Sequence, residues 1–164
     1  MHNYPIYKNT RRDIIECATF LDDEICLKAY IKKEPSVVTY IDVANIHLKS
    51  DFDPDTTLIP GFTKRAVKYR DRDQIFVEIC WNADESFTLR FPDEEVDVVR
   101  QTRSSFAFKK GDRTLATISR IRAKDSRQVG RETYETVYDT EAEEDISQQA
   151  LYILWCFPIL YFGF

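Results

Sequence analysis

The last fifteen residues, "ALYILWCFPILYFGF" (Ala150 to Phe164), carry no charge. This run constrains the fold more than any other stretch, because its apolar surface must leave water. Fully burying one such side chain is worth roughly 1.5–3 kcal/mol. The run has no polar stripe, so a helix built from it has no face marked for solvent. At a rise of about 1.5 Å per residue it reaches roughly 22 Å, short of the ~30 Å hydrocarbon core of a bilayer. Extending it back to Ile146 adds Ser147, Gln148 and Gln149. Two readings stand here, a tail anchor and a helix buried in the protein's own fold. The buried helix is the expectation, with no transmembrane span. Pro158 should break or end it, leaving "ILYFGF" extended in the second case. The acidic entry "TEAEEDISQQ" has two capping-box spacings, Thr140 with Glu143 and Asp145 with Gln148.

Most of the remaining chain alternates with a period of two, the pattern of half-buried antiparallel strands. Inward sets are expected at Ile25, Leu27, Ala29 and Ile31; at Ile75, Val77, Ile79 and Trp81; and at Phe87, Leu89 and Phe91. Val96 with Val98, Phe106 with Phe108, and Tyr134, Thr136 and Tyr138 continue the series. "SVVTYIDVANIHLKS" is apolar on both parities and reads as one long strand or a strand that bends. Three segments share a strand–turn–strand pattern: "ATFLDDEICLKAYIKK", "EICWNADESFTLRF" and "SFAFKKGDRTLATISRI". Residues 50 to 64 are the longest loop candidate.

The expected fold is therefore mainly β. An antiparallel sheet of about 10–12 strands, closed as a barrel, is wide enough to enclose a helix and leaves no sheet edge. The whole chain, 1–164, is read as one domain, with 146–164 as central helix and tail.

At this point the chain resembles a known family. The hairpin "SFAFKKGDRTLATISRIRA", the tyrosine-rich "ETYETVYD" and the acidic entry into an apolar end, "AEEDISQQALYILWCFPILYFGF", look like the tubby C-terminal-like superfamily in its compact LURP-one-related, scramblase-like form. The resemblance covers about residues 103 to 164 and rests on pattern and order. It implies a barrel of antiparallel strands around a hydrophobic C-terminal helix. It also implies a module that acts at membranes, in some members through phosphoinositide head groups.

The residues offer little for catalysis. There are two histidines, His2 and His47, so any histidine-based pair would have to use one of them. Cys17, Cys26, Cys80 and Cys156 form no C-x-x-C pair and each adjoins apolar residues, which points to buried thiols in a reducing compartment. No zinc spacing and no phosphate-binding glycine loop is present, and the chain has only four glycines. Asp51, Asp53 and Asp55 alternate like a calcium loop, but Pro54 intervenes and a solvated loop is the better reading. No cofactor, no metal and no enzymatic activity are expected. The N-terminal "MHNYPIYKNTRRD" has no apolar run of the signal-peptide kind, which suggests a cytoplasmic protein, peripheral at the membrane if it binds lipid.

Charge is segregated along the chain. Between Arg100 and Arg131 there are ten Lys or Arg residues and two acids, and residues 132 to 145 then carry seven acids and no base. The net charge of -5 argues against a general nucleic-acid binder. A strand over 113–124 would place Arg120, Arg122 and Lys124 on one face, while Lys109, Lys110 and Arg113 would flank a turn at Gly111. These six are the candidate anion-binding residues, with anionic phospholipid or a protein as the partner. The plainer reading is a solvated outer face paired with nearby acids. A protein adaptor without lipid binding, and an enzyme with an unrecognised site, are the alternatives.

Overall fold

Among the described residues before 143, the alternation is realised mainly as strands. A computed structural model describes residues 2–9, 15–21, 24–33, 37–43, 46–50, 65–82, 86–122 and 125–162. Within these, only the backbone is described at 15–17, 20–21, 24–33, 37–43, 50, 65, 67, 81 and 156–162. The described residues form fourteen strands and one helix. The strands are β1 (His2–Asn3), β2 (Ile6–Asn9), β3 (Ile15–Leu21), β4 (Glu24–Lys33), β5 (Val37–Val43), β6 (Ile46–Ser50) and β7 (Arg65–Asp71). They continue as β8 (Gln74–Trp81), β9 (Phe87–Arg90), β10 (Glu95–Thr102), β11 (Ser105–Lys110), β12 (Arg113–Arg120), β13 (Ser126–Val129) and β14 (Glu132–Ala142). The helix, α1, spans Gln148–Phe162.

All fourteen strands belong to one antiparallel sheet. From β2 to β12 each strand pairs with the next in sequence. β14 then pairs with β12, from Ala116 opposite Ala142 to Arg120 opposite Tyr138. Its other edge pairs with β2, from Asn9 opposite Tyr134 to Ile6 opposite Tyr138. The short strands β1 and β13 pair only with β14. The ambiguous stretch 37–50 is a hairpin of β5 and β6, joined by the pair Val43 and Ile46. The three look-alike segments are the hairpins β3–β4, β8–β9 and β11–β12. The expected loop lies outside the described residues from 51 to 64.

The predicted inward residues Val77, Ile79, Phe87, Leu89, Phe91, Val96, Val98, Phe106, Phe108 and Tyr138 all enter one buried cluster with α1. Ile75 does not, and 38% of it is exposed. The cause is a bulge: Tyr69 opposes Val77 but Arg70 opposes Ile75, so Phe76 is the extra residue. Parity flips beyond a bulge. Phe76 therefore packs on the core, edge-on to Phe91 with ring centroids 6.0 Å apart, and Ile75 faces out.

The helix starts with an exposed Gln148 but is covered on every side of its second turn. Tyr152, Ile153, Leu154 and Trp155 are all buried, and Ala150 with them. Four successive residues at about 100° each sweep most of the helix circumference. Its backbone lies against β3, β4, β5 and β14. The expected capping boxes are not used. Thr140 is in β14, where its hydroxyl donates to the Tyr4 carbonyl at 2.6 Å. Ser147 caps the helix instead, its Oγ accepting from the Ala150 amide at 3.2 Å. Pro158 does not end the helix, which runs on to Phe162. Proline there removes one backbone donor, and the helix backbone continues past it. No helix among the described residues is long and apolar enough to cross a membrane.

Candidate functional site

Register splits the six predicted cationic residues into two groups. Lys110 pairs with Arg113 across a two-residue turn, Gly111–Asp112, at one end of the β11–β12 hairpin. Gly111 has φ +63°, which suits the first central position of such a turn. Arg120 is seven residues along β12, roughly 23 Å away at about 3.3 Å per residue. The strand stops there, and the Ile121 amide instead donates to the Val137 carbonyl at 3.0 Å. A single strand over 113–124 is thus not formed. Arg122 follows β12 as an exposed residue, and Lys124 lies outside the described residues.

The hairpin-turn end is mixed in charge. Arg113 donates to the Asp145 carboxylate at 2.5 Å, and both side chains are more than half exposed. This hydrogen bond holds the Asp145 carboxyl below the ordinary aspartate range and raises the Arg113 guanidinium. Glu143, also near Arg113, anchors its amide to the Leu115 carbonyl at 2.8 Å. Asp112 shares the turn with Lys109 and Lys110.

The other end gathers arginines. The Arg120 amide donates to the Ser104 carbonyl at 2.8 Å, which sets the end of β12 against the β10–β11 turn. Arg103 stands on that turn and is exposed, as are Arg120 and Arg122. None of the three forms an ion pair among the described residues. Arg100 holds the turn from beneath: its Nε donates to the Thr102 carbonyl at 3.1 Å and its Nη2 to the Arg103 carbonyl at 3.0 Å. Its guanidinium carbon lies 5.8 Å from the centroid of Phe106. Arg100 and Arg103 were not among the residues expected from sequence. No periodicity marks them, and only the pairing of β10, β11 and β12 brings them beside Arg120.

The outer wall differs again. Arg90 lies 3.6 Å from Glu78 and 3.3 Å from Glu95, and Lys68 pairs in register with Glu78. Here the plainer reading of paired surface charge holds. At the end opposite the arginines, a cleft of about 320 Å³ is lined by Ile46, Phe76, Asp93, Glu94, Tyr152 and the first residues of α1. Gln149 donates to Asp93 at 2.8 Å and to Glu94 at 2.6 Å. α1 has no acid in its first turn, so these two carboxylates complement the positive end of its dipole. The cleft is thereby explained as the mounting of the helix.

Among the described residues no group of three or more His, Cys, Asp or Glu is placed to hold a metal. His47 is exposed, and His2 lies 3.9 Å from Glu144 at the surface. Cys80 is a buried thiol, as expected; the side chains of Cys17, Cys26 and Cys156 lie outside the described ones. No protein-family model, curated protein or solved structure matches the chain.

Proposed function

We propose that the chain is a non-enzymatic binding module for anionic ligands, acting on phospholipid head groups at the cytosolic face of a membrane. The scaffold in this reading is a closed barrel of the tubby-like kind. What supports it is that β14 pairs with β12 and with β2, and that α1 contributes to the buried core. The observation that carries the functional reading is electrostatic. Arg103, Arg120 and Arg122 are exposed at one end of the sheet without an ion pair among the described residues, whereas the outer wall pairs Arg90 with Glu78 and Glu95. Cations near an anionic bilayer contribute about 1 kcal/mol each and are screened beyond a Debye length. Three acting together support salt-sensitive binding in spite of the net charge of -5.

The test is sedimentation with vesicles of phosphatidylcholine alone and of phosphatidylcholine carrying a phosphoinositide. Retention on the second only, lost as salt is raised, is the expected result. Equal retention on both would remove the electrostatic basis. Absence of retention at low salt would leave a protein-binding adaptor as the function.

A further inference from the structure

Among the described strands longer than two residues, only β13 pairs with a single neighbour. β14 covers one of its edges, from Ser126 opposite Glu135 to Val129 opposite Glu132. β13 lies along the same edge of β14 as β12, since β2 holds the other edge at both Tyr134 and Tyr138. β12 has β11 beyond it, but β11 begins at Ser105, opposite Ser119. Past Arg120 no described strand stands outside β13.

The hydrogen bonds fix which groups face that open side. Val129 and Glu132 close a two-residue turn at Gly130–Arg131. At the other end of β13 the Thr136 amide donates to the Asp125 carbonyl at 3.0 Å. Bonded and non-bonded pairs alternate along an antiparallel ladder. Asp125, Arg127 and Val129 therefore turn their backbone groups toward β14, and Ser126 and Gln128 turn theirs away. A row of such groups is a template for an added strand. β13 contains no proline, no lysine and no bulge in its pairing that would guard the edge.

The side chains select the occupant. Arg127 and Val129 share a face of the strand. The Arg127 guanidinium carbon lies 5.7 Å from the centroid of the Tyr7 ring, and 39% of Val129 is exposed. Arg131 is exposed on the turn that follows. From Arg120 to Arg131 the chain carries five Lys or Arg residues and one acid, Asp125. The carboxylates of β14 are turned elsewhere: Glu132 accepts from Asn9 at 2.9 Å, and Glu135, opposite Ser126, is on the face away from Arg127. The complement of this edge is an extended segment with an apolar residue beside Val129 and acids at the alternate positions around it.

We propose that the outer edge of β13 docks an extended acidic segment of a partner protein by strand addition. The inference goes beyond head-group binding, because it rests on a row of backbone groups and an apolar contact that a head group does not use.

The probe is the capped peptide Glu-Thr-Val-Thr-Glu, which presents the same face in either strand direction. Its controls are Lys-Thr-Val-Thr-Lys, with the charge reversed, and Glu-Pro-Val-Pro-Glu, with the charge kept and the strand donors removed. Only the first should bind the full chain, with shift changes and slowed exchange at the amides of Ser126 and Gln128. Gln128→Pro removes a donor that faces away from β14, so it should keep the melt and weaken the peptide by roughly three- to tenfold. Val129→Glu should weaken it as well, and it decides the matter alone if the proline variant does not fold. Equal binding of the proline-bearing peptide would mean attraction by charge only and would overturn the docking edge. So would binding of the lysine peptide, or no binding of any peptide at low salt. Retention of Gln128→Pro on phosphoinositide vesicles should match the parent. Its loss, with no peptide bound by the parent, would assign this edge to the membrane instead.

Discussion

Ile6 lies opposite Tyr138, so a strand at the start of the chain is joined to the last strand of the sheet. The neighbouring segment reinforces the join. The Tyr4 amide donates to the Thr140 carbonyl at 2.9 Å, and the Tyr4 carbonyl accepts from the Thr140 hydroxyl. The Tyr4 ring then meets Trp155 of the helix edge-on, with centroids 5.2 Å apart. Thr140 is fully buried. Replacing it with Val keeps its shape and deletes the donor, so Thr140→Val should lower stability by about 1 kcal/mol. Thr140→Ser should lose less. Denaturant unfolding of the two variants checks the order.

Leu154 is fully buried in the helix turn that has no exposed face. Leu154→Ala should lower stability by about 2–5 kcal/mol through lost burial and the cavity left behind. Leu154→Asp places a carboxylate in the same site without a partner and should exceed that. Removal of residues 146–164 should give an aggregating or molten chain. A truncated chain that stays monomeric with a cooperative melt would refute the role given to the helix.

Arg72 has φ +57° at the first residue of the two-residue β7–β8 turn, between the paired Asp71 and Gln74. Gly111 and Gly130 hold the same position in the β11–β12 and β13–β14 turns, with φ +63° and +61°. Side chains other than glycine are strained there by about 1–2 kcal/mol. Arg72→Gly should therefore raise the melting temperature. Gly111→Ala and Gly130→Ala should lower it. A Cβ at either glycine meets no heavy atom within 4 Å, so the loss is one of backbone conformation.

The Arg113–Asp145 pair sets a pH dependence at low pH. Asp145 has a folded pKa below its unfolded one, owing to the hydrogen bond from Arg113. Its contribution is present above the unfolded pKa and is lost as pH falls through the folded value. Arg113 is raised from an already high value and does not titrate in the working range. Asp145→Asn should thus be slightly less stable than the parent at neutral pH, and the difference should close as the carboxylate protonates in acid. Both groups are exposed, so the difference should shrink in high salt at every pH.

The strand pattern was legible in the sequence wherever one face meets the core without interruption. Phe87, Leu89 and Phe91 alternate against Thr88 and Arg90, and their burial follows that alternation. It failed at Ile75, because a bulge is a fact of pairing that a single strand does not encode. The cap was missed because two capping-box spacings outscored Ser147, which has no Glu or Gln three residues on. Of the six candidate cations, Lys109, Lys110 and Arg113 are placed by the turn at Gly111, which forms, and Arg120, Arg122 and Lys124 by spacing along an assumed strand that stops at Arg120. Arg120 instead belongs with Arg103, seventeen positions away, through a turn whose register no periodicity reveals.

The central proposal is that the sheet closes through both edges of β14 around the C-terminal helix. Cross-strand nuclear Overhauser contacts in the labelled protein test it most directly. The account predicts contacts from Tyr138 to Ile6 and, in the same sample, from Tyr138 to Arg120, with slow amide exchange along β2. Contacts to Arg120 alone, with rapid exchange of the β2 amides, would mean an open sheet and would contradict it.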